Sequence, residues 1–217
     1  MRSAVFLDRD GVINELVYYD DTEEWDSPRR AEDLRIVEGV PGAIKYLNEA
    51  GVPVFVFSNQ PGIAKGKFTL KDHTEMIKKL DAVLQRFGGK LDGHYYCLHH
   101  EDPKQVKVPS YLGACECRKP KPGLLEFARK DHGIDLRRSW VVGDRITDIQ
   151  AGLAVEAQTI LIDNQNLPWR DRHRDEGKGA SPHHIVRGLA EAVEIICEGG
   201  KNANRADEDL HRFSESR

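Results

Sequence analysis

Apolar positions along the chain fall into short continuous runs that alternate with longer stretches of helical spacing. Ser3-Ala-Val-Phe-Leu7 is such a run, and it stops abruptly at Asp8 and Gly11. A buried strand that delivers polar groups at its carboxyl end has this pattern. Val52-Pro-Val-Phe-Val-Phe57 predicts a second buried strand, leading into Ser58-Asn59-Gln60-Pro61-Gly62. His94–Cys97, Ser139–Gly143 and Gln158–Ile162 predict three more. Helices are predicted between them. One covers 40–50, with Pro41 in its first turn and Gly51 as its stop. The next covers 70–87, where Met76, Ile77, Leu80, Val83, Leu84 and Phe87 share a face. Others run from Pro122 to Gly133, near 147–154, and over 187–197, where Leu189, Val193, Ile196 and Cys197 form one apolar face. Strands alternating with helices predict an α/β fold: a Rossmann-like parallel sheet with helices on both faces and its site at the carboxyl ends of the strands.

Two stretches stand outside the alternation. Residues 14–36, acidic and aromatic, are expected to form a flap over the site. Residues 163–186 are a long polar loop with four arginines and lysines before Gly179, long enough to expect a functional role. Residues 198–217 are polar and charged and are expected to be a disordered tail, leaving 1–197 as one domain.

Composition narrows the classes of function. The 217 residues are 39% hydrophobic and 31% charged, a soluble globular balance. A net charge of −4 argues against a wholly basic nucleic-acid surface. No apolar run approaches the roughly 20 residues of a membrane span. Residues 1–7 are too short for the apolar region of a signal peptide. A cytoplasmic monomer is expected, with neither nucleic acid nor membrane as partner. In a reducing compartment, four cysteines read as metal ligands or core before disulfides.

The chemistry follows the strands. Asp8 and Asp10 lie two residues apart, and on an extended chain such residues point the same way. Asp8 can attack phosphorus while Asp10 serves the neighbouring atom, with a cation offsetting the repulsion between carboxylate and phosphate. Phe6-Leu7-Asp8-Arg9-Asp10-Gly11-Val12-Ile13-Asn14 resembles the first motif of the haloacid dehalogenase (HAD)-like phosphohydrolases. Within them it resembles the branch of D-glycero-D-manno-heptose 1,7-bisphosphate phosphatases and histidinol phosphatases. Ser58 matches that family's second motif, and the continuation Asn59-Gln60-Pro61-Gly62-Ile63-Ala64-Lys65-Gly66 is characteristic of the branch. Lys119, in Arg118-Lys119-Pro120-Lys121-Pro122-Gly123, matches the third, and Asp144, in Gly143-Asp144-Arg145-Ile146-Thr147-Asp148, the fourth.

The resemblance implies a capless HAD-like enzyme in which Asp8 is the nucleophile and Asp10 the general acid and base. Ser58 and Lys119 would bind phosphoryl oxygens. Mg²⁺ would be held by Asp8, Asp144 and the backbone carbonyl of Asp10. Asn59, Arg118 and Arg145 would contact substrate. Tyr18 and Tyr19 would contact substrate or pack the flap. Asp148 would orient Lys119 or water, or offset its helix dipole. Lys121 reads as a solvated surface charge.

Cys97-x-His99 and Cys115-x-Cys117 place three thiols and an imidazole within 21 residues, a set suited to structural zinc. The branch carries the same arrangement, and zinc there would pin the loop 97–118 that delivers Arg118 and Lys119. His100 is the alternative to His99, a disulfide the alternative to zinc, and Cys197 reads as core. The branch also has a short Gly-Tyr-Val-like stretch after the first motif. Here Asn14 is followed by Glu-Leu-Val-Tyr-Tyr-Asp-Asp, and the flap is longer.

The implied substrate is a small phosphate ester, the heptose bisphosphate first, with histidinol phosphate or another sugar phosphate as the alternative. A nucleic-acid end phosphatase would need a basic groove. A non-catalytic module would have no use for Asp8, Asp10, Lys119 and Asp144 together.

Overall fold

The computed structural model describes residues 2–164, 168 and 180–199. Its elements in order are β1 (Val5–Leu7), β2 (Val17–Tyr19), β3 (Glu24–Asp26), α1 (Val40–Glu49), β4 (Val54–Asn59), α2 (Leu70–Arg86) and β5 (Gly93–Cys97). They continue with α3 (Gly123–His132), β6 (Trp140–Gly143), α4 (Ile146–Leu153), β7 (Gln158–Ile162), β8 (His184–Val186) and α5, helical over 189–199. Six strands form one parallel sheet in the order β5-β4-β1-β6-β7-β8.

Period-two alternation puts apolar groups on both faces of the central strands. Val5, Leu7, Val54 and Val56 face a cluster with Ile44 and Leu47 of α1, Leu80 and Leu84 of α2, and Leu189, Val193 and Ile196 of α5. Phe6, Phe55 and Phe57 face the opposite cluster, with Leu124, Leu125 and Ala128 of α3 and Ala151 of α4. Phe6 and Phe55 stack at 5.4 Å between centroids. Burial on both faces explains why these strands read as unbroken apolar runs.

Boundaries have local causes. Thr69 and Asp72 cap α2 reciprocally: the Asp72 N–H donates to Thr69 Oγ1 at 3.2 Å and the Thr69 N–H to Asp72 Oδ2 at 2.8 Å. Gly133, at φ 64°, ends α3 and returns its N–H to the Arg129 carbonyl.

The structure corrects the expected elements in three places. The second strand runs to Asn59, so Ser58 and Asn59 are strand residues paired with Tyr96 and Cys97 of β5. The flap contains an antiparallel hairpin, with Tyr18 opposite Trp25. The stretch 163–186 ends in a strand, β8, paired with β7. Most of that stretch, and with it the functional role expected there, falls on 165–167 and 169–179, outside the described residues, as does the expected tail from 200 onward. No helix of the described residues is long and apolar enough to cross a membrane.

Candidate active site

Parallel pairing brings the ends of β1, β4 and β6 to one edge of the sheet, and the charged clusters meet there. Asp8 follows β1, is 4% exposed, and donates its N–H to the Val142 carbonyl of β6. The chain then turns tightly: Gly11 N–H donates to the Asn14 carbonyl, and the Ile13 and Asn14 N–H groups to the Arg9 carbonyl. Gly11 has φ 94°, and a side chain there would collide with the Asp144 carboxylate. The close approach of the first and fourth motifs therefore requires glycine.

Lys119 is 4% exposed and joins the other groups. Its ammonium lies 2.9 Å from Asp8 Oδ1, 2.5 Å from Asp148 Oδ1 and 3.0 Å from the Phe57 carbonyl, over the Phe57 ring. Burial works against its charge, but Asp148 and Asp8 more than compensate and raise its pKa. Asp148 does both things the sequence left open. It pairs with Lys119, and its Oδ2 accepts the Arg145 N–H at 3.0 Å at the start of α4. Burial pushes its carboxyl up to about 6.

Asp10 is held differently. Arg9 Nε and Nη2, Asn14 Nδ2, Gln60 Nε2 and Ser27 Oγ all donate to its two oxygens, at 2.6–3.1 Å. Burial alone would raise its pKa, but the Arg9 guanidinium and these donors lower it below the usual aspartate value. Arg9 itself is 1% exposed and also donates to Gln60 Oε1 at 2.8 Å.

Asp144 is left with an unsatisfied oxygen. Its Oδ1 is buried with no hydrogen-bond partner among the described residues. Burial first, then Asp8 and Asp148, drive its pKa well above the usual value. Carboxylate oxygens of Asp8, Asp144 and Asp148 lie within 4.8 Å of one another. Two of them with a backbone carbonyl make a hard oxygen set of the kind Mg²⁺ takes.

A second donor set sits in the loop after β5. Cys97, His99, Cys115 and Cys117 present ligand atoms within 4.8 Å of one another, and none of the thiols is in a disulfide. The Sγ atoms are 3.4 and 3.6 Å apart, and His99 Nδ1 lies 3.7–3.9 Å from two of them. Those separations suit the edges of a tetrahedron about a zinc with Zn–S bonds of ~2.3 Å. Of the two candidate histidines, His99 joins the thiols. His100 lines the active-site cavity, its Nδ1 accepting the Asp102 N–H. Cys197 packs against the core under α5, as expected.

The cavity has a volume of about 360 Å³, within the range of small-molecule sites. Asp8, Asp10, Ser58, Asn59, Arg118, Lys119, Asp144 and Arg145 all line it. The sequence reading missed the cations Lys65 and Lys67 on its wall. Four residues have partners the sequence did not show. Asn59, on the cavity wall, also bonds the backbone of Lys119, donating to the carbonyl and accepting from the N–H, both at 3.0 Å. It places the lysine. Tyr18 and Tyr19 are absent from the cavity wall and build the flap. Tyr18 meets Trp25 edge to face, and the Tyr19 hydroxyl donates to Asp33 and accepts the Arg29 N–H. Lys121 is half solvated, yet its ammonium donates to the Cys115 carbonyl at 3.0 Å and braces the cysteine loop.

An aspartate at the end of the first strand, a buried lysine bridging it to a second acid, and a third acid with an unpartnered oxygen meet at one edge of a sheet whose fold is that of the HAD-like hydrolases. The comparisons agree. The family model described as HAD-hydrolase-like matches residues 116–192. A D-glycero-beta-D-manno-heptose-1,7-bisphosphate 7-phosphatase of Yersinia pestis is 37% identical over 193 residues, 89% of this chain and 94% of that protein. A D-glycero-D-manno-heptose-1,7-bisphosphate 7-phosphatase of Thermosynechococcus vestitus is 36% identical over 200 residues, 90% and 96% of the two chains. The fold matches the crystal structure of a D,D-heptose 1,7-bisphosphate phosphatase from B. bronchiseptica complexed with magnesium and phosphate. The TM-score is 0.73 at 24% identity, over 91% of this chain and 99% of that one. At such identity over nearly the full length of both chains, the protein belongs to the family of the heptose-1,7-bisphosphate 7-phosphatases. It is a phosphatase.

Proposed function

We propose that the enzyme is a Mg²⁺-dependent phosphomonoesterase that removes the 7-phosphate of D-glycero-D-manno-heptose 1,7-bisphosphate through a phosphoryl-aspartate at Asp8. The observation that carries the chemistry is the Asp8–Lys119–Asp148 chain beside an unpartnered Asp144 oxygen. Mg²⁺ would be held by Asp8, Asp144 and the Asp10 carbonyl, and would offset the charge between the carboxylate and the phosphate. Asp8 attacks phosphorus in line with the leaving oxygen. Lys119 and Ser58 bind the phosphoryl oxygens, where negative charge must be stabilised. Asp10 protonates the leaving oxygen as the P–O bond breaks, then takes a proton from the water that hydrolyses the phosphoryl-aspartate. Cys97, His99, Cys115 and Cys117 would hold Zn²⁺, which fixes the loop and with it Arg118 and Lys119. Unpaired thiols suit a reducing, cytoplasmic setting.

The names of the relatives support the heptose substrate, and so does a cavity wall whose cations Lys65, Lys67, Arg118 and Arg145 suit a doubly phosphorylated ligand. The test is Mg²⁺-dependent phosphate release from both anomers of the heptose bisphosphate, other sugar phosphates, histidinol phosphate and a 3′-phosphorylated oligonucleotide. A preference for one heptose bisphosphate anomer by tenfold or more in kcat/KM, about 1.4 kcal/mol, is expected. An even spread over the panel would keep the chemistry and overturn the substrate.

A further inference from the structure

We propose that Ser27, on the flap, is a positioning residue for Asp10, and that the flap thereby sets where the Asp10 carboxyl points in the cavity. The inference rests on the reading of Asp10 as acid and base. Among the described residues, four side chains donate hydrogen bonds to the Asp10 carboxylate. Arg9, Asn14 and Gln60 belong to the turn after β1 and the end of β4. Ser27 follows β3 and reaches Asp10 Oδ2 at 2.8 Å. Both Ser27 and Asp10 line the cavity.

The four partners differ in what they can offer. A guanidinium only donates, and so do the amide nitrogens of Asn14 and Gln60 that face Asp10. The acceptor oxygen of Gln60 is already engaged by Arg9. In each turnover Asp10 must pass between carboxylate and carboxylic acid. Its O–H proton goes to the leaving oxygen as Asp8 bonds to phosphorus and the ester P–O bond breaks. A proton from water returns to it as the water oxygen bonds to phosphorus and the Asp8–phosphorus bond breaks. An obligate donor can stay on the lone pairs of either form but cannot accept the acid's O–H. The Asn14 amide could accept only by turning its Oδ1, unpartnered among the described residues, toward Asp10, which would set that oxygen or its dipole against the Glu15 carbonyl that Nδ2 now serves. A hydroxyl both donates and accepts, so Ser27 can keep its bond to Asp10 by turning about its C–O bond.

The flap's own contacts fix where that hydroxyl sits. Asp26 Oδ1 accepts the Ser27 N–H at 2.8 Å, and Asp26 Oδ2 is ion-paired with Lys67 in the loop after β4. The Tyr19 hydroxyl ties Arg29 to Asp33, and Lys79 of α2 donates to the Ala31 carbonyl at 2.6 Å. These contacts hold the Ser27 hydroxyl against Asp10 from the flap side of the cavity.

A role through Asp10 leaves a signature that a structural role does not. An alkyl phosphate needs its leaving oxygen protonated, and p-nitrophenyl phosphate does not. Since kcat/KM reports the steps through departure of the leaving group, the two esters separate acid catalysis from general damage. Ser27→Ala, Ser27→Thr and Asp10→Asn are compared with wild type on p-nitrophenyl phosphate and on the best alkyl phosphate of the panel above, with melting temperatures measured alongside. Ser27→Ala is expected to lower kcat/KM about tenfold for the alkyl ester and to stay within about twofold for the aryl ester. Ser27→Thr should restore the alkyl activity, and Asp10→Asn should show the same selectivity, larger. Equal losses on both esters, or no loss with Ser27→Ala while Asp10→Asn keeps its selectivity, would overturn the inference alone. An Asp10→Asn variant without selectivity would overturn the acid–base reading and the inference with it.

Discussion

At Lys119 three parts of the chain meet on one ammonium group: Asp8 after the first strand, the Phe57 carbonyl on the second, and Asp148 in the last helix before β7. The sequence made Asp8 and Asp144 legible because each follows an apolar strand, and parallel strands end on the same edge; Lys119, beyond the cysteine loop, was legible through its match to the family's third motif. It did not reveal what Asn59 does, because its partner is a backbone 60 residues away. Nor did it separate the roles of the two tyrosines, whose partners lie within the flap itself. His73 was unmarked in the sequence for a related reason: it sits on the buried side of α2, stacked on Phe68 and edge-on to Tyr96. Burial, with Arg9 nearby, lowers its pKa from 6.5 to about 4. The folded state therefore favours the neutral ring, and the unfolded chain binds the extra proton first. The stability this contributes is complete above about pH 6.5 and is lost as pH falls toward 4, by up to about 3 kcal/mol. Denaturant titrations between pH 7 and 5 should show a shallower loss in His73→Leu than in wild type. Equal slopes would contradict the assignment.

At the scale of elements, strands buried on both faces and helices with clean caps were readable, because burial and end chemistry write directly into the residue pattern. The elements that were not readable are short. The β2–β3 hairpin has three residues a side, and β8 has three residues with Ile185 pointing out and Val186 in. Three residues give no period to detect, and these three strands, unlike the equally short but wholly buried β1, are partly exposed and make no apolar run. The cysteine loop is the converse case, with little regular structure and a strong side-chain pattern. Its four metal-ligating side chains come from both ends of the loop, so on the zinc reading its order should depend on the ion they would hold. The purified full-length enzyme is expected to carry about one zinc per chain. Cys115→Ser should lose the zinc and lower the melting temperature, and activity should fall with it because Lys119 follows two residues after Cys117. Zinc-free protein with unchanged melting, or a disulfide among these cysteines, would show that the loop is held in another way.

Over the whole molecule, the sheet order explains why residues from positions 8 to 147 share one cavity. β1 lies between β4 and β6, so the first, second and fourth motifs emerge side by side, and the cysteine loop next to β5 brings in the third. The cost is a crowd of acids, Asp8, Asp144 and Asp148, that Lys119 and Arg145 do not fully offset at Asp144. Such an arrangement is unfavourable for a scaffold and suited to an enzyme that binds a cation and a phosphate between those charges. The most direct test is to trap the phosphoryl group. The Mg²⁺-loaded enzyme would be mixed with the heptose bisphosphate, quenched in acid within a turnover, and its peptides examined by mass spectrometry. The account predicts a phosphoryl group on Asp8, absent in Asp8→Asn, which also releases no phosphate. Phosphate release by Asp8→Asn at the wild-type rate, or a phosphoryl group on a different residue, would contradict it.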